Sequence, residues 1–344
     1  MELSSSPRRW ATMAVTASLL LLAACGAPAS STGQSGPAQI GVTGVPGGLL
    51  SLPVFVGMDR GFFKAEGLDV KFVPIHNGTE TAQNLISGQA LVGLTSPDSI
   101  LTSREQGGSL KIVCGSTRHG THSLIVRNQW QLPHLGQYPA VMADLKGAKI
   151  GVTARGSAQE IWVSTMLRDA GIDPKDVTFV GIGDPQTAVQ SLEHGQIDAL
   201  LSEEPGRSIA IHKLKIARIA VDLRADGEGP GILQNLSPQV YASTGQAIKN
   251  HSDQLKKFVA ALTKTIAWMN DSANRPDLEA VTAKNIAIDK ELIPQLLDGI
   301  LKSFGTTVPR RNIEDSITID MKAKVISEPV TYEDIVATQL VPAS

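Results

Sequence analysis

The sequence predicts an α/β chain built as two similar lobes, and three observations carry that reading. Short segments of strand character alternate with segments of helical spacing, and the joints between them are brief, which is the pattern of repeated βα units around a mainly parallel sheet. The series then breaks and restarts near residue 148. One pattern also recurs at the same place in each series: Gln83-Asn84-Leu85-Ile86-Ser87-Gly88-Gln89 and Gln190-Ser191-Leu192-Glu193-His194-Gly195-Gln196. In each copy a helix ends at Gly, Gln follows, and an apolar strand begins. Gly there suits a left-handed helix stop.

In chain order, residues 39–43 read as the first strand and residues 44–48 as a glycine-rich turn. Pro53 opens a helix carrying Val54, Val56, Phe62 and Phe63, which Gly67 stops. Residues 68–73 alternate apolar and polar, the mark of a half-buried strand. A helix over 80–87, a strand over 91–94, a helix over 97–105 and a strand over 110–113 complete the first series. The second holds strands over 148–153, 177–180 and 197–200 and helices over 157–170 and 185–193. After Asp226 comes a loop with Gly227, Gly229, Pro230 and Gly231, and the remainder is mostly helical. Leu255, Phe258, Val259, Leu262, Ile266 and Met269 recur at spacings of three and four, a core-facing stripe. Further helices begin at Pro276, Asp289 and Thr331, with Thr331 as N-cap and Asp334 in the first turn.

The N-terminus has a different character. Arg8 and Arg9 precede an apolar run ending at Leu22, the parts of a secretory signal. At about 15 residues the run is short for a roughly 30 Å hydrocarbon core. Leu22-Ala23-Ala24-Cys25 resembles the bacterial lipobox, which implies that Cys25 becomes a lipid-modified N-terminus. Residues 26–37 are small and polar without charge, so they cannot bury enough surface to order themselves. They read as a tether with a reach on the order of 20 Å. Arg8-Arg9 leaves the general and twin-arginine export routes both open. With Cys25 lipidated, Cys114 stands alone at the end of an apolar strand, so no disulfide framework is available.

The formal charge of −2 and the scattered basic residues exclude a nucleic-acid footprint. No nucleophile motif, phosphate-cradling loop or Cys cluster is present, and no cofactor is expected. His119 and His122 have a possible metal spacing, but no third ligand of the right kind is close in sequence, and no metal is expected.

Residues 53–70, Pro-Val-Phe-Val-Gly-Met-Asp-Arg-Gly-Phe-Phe-Lys-Ala-Glu-Gly-Leu-Asp-Val, closely resemble the opening of the solute-binding proteins of ABC importers for nitrate, sulfonate, taurine and thiamine precursors. Gly88-Gln89 ahead of Leu91-Val92-Gly93-Leu94 is similar to that family's next motif. Residues 145–152 resemble the start of its second lobe, with Gly156-Ser157 at its small-residue turn. Asp198-Ala199-Leu200-Leu201 and Glu203-Glu204-Pro205 resemble its later strand and Glu-Pro loop. Leu91 departs from the acid usual at that place, and Arg155 adds a charge to the turn. The resemblance implies a type II periplasmic-binding-protein fold: two lobes, each a mainly parallel sheet flanked by helices, joined by a two-strand hinge. On that plan residues 1–24 are the signal and 25–37 the lipidated Cys and tether. Residues 38–120 and 226–344 form the first lobe and 121–225 the second. The hinge strands fall at 122–127 and 216–223.

In such sheets ligands bind beyond the carboxyl ends of the strands, where helix N-termini favour anions. The loop over 44–51 offers Gly47 and Ser51, and the next offers Ser96 and Asp98. The third, with Arg155, Gly156 and Ser157, is the best anion site. Ser157 and Glu160 have capping-box spacing, so Ser157 caps its helix, alone or while touching ligand. Asp184 before Pro185 has the same shape. Glu204, beside Glu203, suits an amine or a protonated ring; the alternative is one solvated Glu and one paired with Arg207.

The implied function is an extracytoplasmic, membrane-anchored lipoprotein of an ABC importer, a monomer that delivers its ligand to a permease with its ATPase. The ligand is a small organic anion or zwitterion, with aliphatic sulfonate or taurine foremost and nitrate or a thiamine pyrimidine precursor next. Alternatives on the same plan are an extracellular sensing lobe or an enzyme of pyrimidine-precursor or menaquinone type.

Overall fold

The computed structural model describes residues 36–183, 185–224, 228–234 and 236–342. The signal, Cys25, most of the tether and Asp184 lie outside the described residues. Ten strands run in chain order: β1 (Ala38–Gly44), β2 (Leu68–Pro74), β3 (Val92–Thr95), β4 (Leu110–Gly115), β5 (Ser123–Arg127), β6 (Lys149–Val152), β7 (Thr178–Gly181), β8 (Ala199–Ser202), β9 (Ala217–Asp222) and β10 (Val240–Thr244). They form two five-stranded sheets, ordered β2-β1-β3-β10-β4 and β7-β6-β8-β5-β9.

The two orders are the same pattern. In each sheet three strands run parallel, and the fourth is antiparallel to both its neighbours. That fourth strand is the one that has just arrived from the other sheet: β5 follows the first crossing and β10 the second. Each also shifts register against its outer neighbour, at Leu124/Ile125 and at Tyr241/Ala242. The duplication read from one short motif thus extends to strand order and ladder irregularity. Gly88 and Gly195 stop their helices at φ +76° and +71°, in the left-handed region where a Cβ is strained.

Six helices flank the strands of the two series: α1 (Leu52–Asp59), α2 (Phe62–Ala65), α3 (Gly78–Ile86), α4 (Pro97–Glu105), α5 (Ala158–Asp169) and α6 (Pro185–Glu193). The single helix expected between Pro53 and Gly67 is two, because Gly61 at φ +77° breaks it. That break turns Phe63 inward onto Phe258 of the helix Ser252–Asn270, with ring centroids 5.5 Å apart. Tyr241 of β10 meets the same ring edge-on at 5.3 Å. The stripe from Leu255 to Met269 is buried in this core, as its spacing requires. Thr331 and Asp334 form a full capping box.

Two expectations change. The segments read as hinge strands, β5 and β9, are full neighbours inside the second sheet. The chain crosses instead just before β5, over 116–122, and after β9, over 223–239. The crossings touch where Leu223 N–H donates to the His122 carbonyl at 3.1 Å. A Cβ on Gly120 would sit 2.3 Å from the Leu223 carbonyl oxygen, so the two backbones are in direct contact. The C-terminal helices also do more than cover the first sheet. The helix Arg310–Lys322 carries Ile319 into the core of the second sheet. Among the described residues, no helix is long and apolar enough to cross a membrane.

Candidate functional site

The parallel strands of both sheets point their carboxyl ends at one place. A chamber there is walled on one side by Val45 and Gly48 after β1, Asn77 after β2, and Thr95 and Ser96 at the end of β3. The other side brings Thr153 after β6, Ser157, Gln159 and Trp162 of the α5 start, and Glu203 after β8. His122 and Gln239, from the two crossings, close it. The enclosed space is about 90 Å³. At the room one water-sized sphere takes, that suits a molecule of about six to nine non-hydrogen atoms. An outer mouth of about 250 Å³ continues it past Ser99, Ala154, Arg155 and Gly156.

Three helices of adequate length begin at the chamber. Asn77 caps α3 through Glu80 N–H at 3.0 Å, and Ser96 caps α4 through Ser99 N–H at 3.1 Å. α5 differs. Ser157 caps no helix N–H, and its hydroxyl is buried without a partner. The reason is local: Glu160 turns back past Ser157, accepts from Gly156 N–H at 2.7 Å and takes the Arg155 guanidinium at 2.9 and 3.1 Å. Ser157, with its hydroxyl unpartnered, is therefore left in the chamber wall. Gln159 spends its amide oxygen on Thr153 N–H at 3.0 Å, so its NH₂ is the remaining donor.

The chamber has no Lys or Arg among its described lining residues. Its one acid, Glu203, lies 3.5 Å from His122 Nε2. Burial lowers His122 to about 4, so the imidazole is neutral at pH 7. Its Nδ1 pairs with the Thr121 hydroxyl at 3.1 Å, and its ring meets Trp162 edge-on at 5.2 Å. Burial, and secondarily Glu204, push Glu203 up to about 7. The folded state therefore holds a proton on Glu203 that the unfolded chain releases in the ordinary carboxylate range. Stability from this group is lost as pH rises towards 7, while His122 acts in the opposite sense between about 4 and its ordinary value. Glu203→Gln isolates the first effect. The side chain is 14% exposed, so the stability gap between variant and wild type should grow by roughly 1–2 kcal/mol in the variant's favour from pH 5 to pH 8. Urea unfolding at the two pH values reads it, and a gap independent of pH refutes it.

Of the residues singled out from the sequence, Ser96 and Ser157 line the chamber, while Arg155 and Gly156 line its mouth. Arg155 is exposed and held by Glu160, so it does not reach the inner space. Gly47 and Ser51 do not line it. Gly47 makes the turn behind Gly48, and Ser51 is fully buried with its hydroxyl on the Val45 carbonyl at 3.1 Å. Asp98 lies beneath the wall, 1% exposed, accepting from Trp162 Nε1 at 3.2 Å. Glu204 is withdrawn as a ligand group: it is 2% exposed, paired with Arg207, and accepts from Ser208 N–H at 3.1 Å. Its neighbour Glu203 is the one that faces the chamber, because successive residues leaving a strand point to opposite sides. Gln159, Gln239 and Trp162 are not among the candidates that the sequence offers. Gln159 and Trp162 reach the chamber from the first turns of α5, as Ser157 does from its start; Gln239 comes from a crossing that no local pattern marks.

The bicarbonate-binding protein CmpA of Synechococcus is 23% identical over 274 residues, 73% of this chain and 58% of the relative. The chain thus spans little more than half the length of that relative. The 4-amino-5-hydroxymethyl-2-methylpyrimidine phosphate synthase THI13 of Saccharomyces cerevisiae is 22% identical over 223 residues, 63% of each chain. The periplasmic aliphatic sulphonate binding protein SsuA of Escherichia coli superposes with a TM-score of 0.68 at 16% identity, over 88% of this chain and 98% of that one. The fold is that of the periplasmic binding proteins. Residues 51–276, more than half of the 344, match the family described as NMT1/THI5 like, and the chain belongs to that family.

Proposed function

We propose that this chain is the solute-binding component of an ABC importer, held at the outer face of a membrane by lipid on Cys25, and that it captures a small zwitterion. The observation that carries this reading is the chamber itself, whose walls come from both sheets. A ligand that touches both walls stabilises the arrangement in which they meet, and a permease distinguishes that state from the open one. Residues 38–120 with 226–344, and 121–225, are the two lobes that move.

The chemistry supports opposite charges at the two ends of the ligand. With no cation in the lining, an anionic group is held by the α4 and α5 N-termini and the Ser157 hydroxyl. An ammonium at the other end meets Glu203 and draws it into its ionised form. An aminosulfonate such as taurine has both groups and fits the space. Nitrate and bicarbonate carry no ammonium to draw Glu203 into its ionised form. The named activities of CmpA and SsuA are consistent with an importer protein for a small anionic group. A second ligand, an aminopyrimidine, is favoured by the Trp162 ring in the wall and by the name of the yeast relative. Among the described residues the one thiol, Cys114, is buried in the first core and pushed up by burial, away from the chamber.

Calorimetric titration of the full chain tests the reading. Taurine should bind one to one, and Glu203→Gln should weaken it at least tenfold, about 1.4 kcal/mol, with ethanesulfonate unaffected by the substitution. Binding of an aminopyrimidine alone would replace the ligand class. Absence of binding for taurine, ethanesulfonate, bicarbonate, nitrate and aminopyrimidine would overturn the importer reading.

A further inference from the structure

The wall residue Trp162 has a second role. Its indole leaves the chamber, crosses from α5 on the second sheet to α4 on the first, and donates to Asp98 Oδ1 at 3.2 Å. Asp98 faces Asp320 of the helix Arg310–Lys322, and both are almost fully buried. Asp98 Oδ2 and both Asp320 oxygens have no donor. No ion pair among the described residues reaches either group. Two ionised carboxylates side by side without a cation would be very costly, so one proton must lie between them. Burial raises both, Asp320 further because Asp98 is beside it. The groups facing Asp98 are then Trp162 from α5 and Asp320 from the C-terminal helix. One satisfies Oδ1 and the other, through the shared proton, Oδ2.

We propose that the Trp162–Asp98 hydrogen bond, backed by the proton that Asp98 shares with Asp320, is a latch holding the two lobes together over the chamber. Trp162 is thus a positioning residue as well as a wall: ligand packed against its ring fixes the indole in the orientation that reaches Asp98. A bond between bodies carried by different sheets is made only when they meet, and this one is buried, so water does not compete for it. The latch rests on the reading of two lobes that close, but not on the identity of the ligand.

Small-angle scattering of the full chain without added ligand tests it. A compact body of about 310 residues, the unit that begins at Gly36, has a radius of gyration of roughly 19 Å. Trp162→Phe keeps the ring wall and removes the donor; Asp98→Ala removes the acceptor. Each should raise the radius by about 1 Å, on the scale of a hinge opening. Asp98→Asn restores both functions, an oxygen for Trp162 and an N–H for Asp320, and should stay at the wild-type value. Unchanged radii in Trp162→Phe and Asp98→Ala, with native near-ultraviolet circular dichroism to show that they fold, would overturn the latch. Opening in Asp98→Asn equal to that in Asp98→Ala would overturn it too, because the hydrogen bonds would then be irrelevant. A wild type that fails to bind taurine while Trp162→Phe opens the molecule would strike only the ligand assignment.

Discussion

Arg207→Ala should destabilise the protein by about 3–5 kcal/mol in urea unfolding, because it strands a buried charge. Arg207 is 8% exposed and Glu204 2%. The guanidinium gives both its Nε, at 2.7 Å, and an Nη to one carboxylate oxygen, while Ser208 N–H takes the other. Without Arg207 the carboxylate keeps a single backbone donor in a site closed to water. The pair stands directly behind Glu203, so its loss should also disorder that wall of the chamber and weaken any ligand that reads Glu203. Replacing both partners by apolar groups, Glu204→Leu with Arg207→Met, should recover most of the stability, since no charge is then left unpaired. A loss under 1 kcal/mol in Arg207→Ala would mean that water reaches Glu204.

Gly120→Ala should cost about 2–3 kcal/mol, at the upper end for overpacking. The added methyl would lie 2.3 Å from the Leu223 carbonyl oxygen and 3.0 Å from its carbon. These are backbone atoms and cannot swing aside as a side chain does. The Leu223 N–H is already committed to the His122 carbonyl, so the two crossings must part as a unit. Separation there should move His122 away from Glu203 and, on the two-lobe proposal, change the arc of closure. Ligand affinity should fall along with stability, and scattering should report an altered resting shape. Stability within 0.5 kcal/mol of wild type would show that the crossings have slack.

Some of this molecule is legible before folding. The alternation of β and α segments, the helix-stop glycines at 88 and 195 and the stripe from Leu255 to Met269 are local consequences of backbone sterics and of the period at which apolar residues return to one face. Ser96 was readable as a cap and Ser157 as a helix start for the same reason, since Ser before a helix has only a few places for its hydroxyl to go. Even here the reading broke where two local solutions compete: Glu160 chose Gly156 N–H and Arg155 over the Ser157 box, and so left the hydroxyl without a partner.

What the tertiary structure alone decided is which members of each candidate set face the chamber. Glu203 and Glu204 are adjacent and chemically identical, and the phase with which the chain leaves β8 sends one to the chamber and the other to Arg207. Asp98 follows a capping Ser in a ligand-side loop, yet it turns beneath the wall because Trp162 and Asp320, 64 and 222 positions away in sequence, meet it there. The sequence by itself determined the periodic elements and their order, because those depend on neighbours within one turn or one strand. The direction of a side chain at the meeting of two sheets depends on partners brought together by the fold, and no local pattern encodes it.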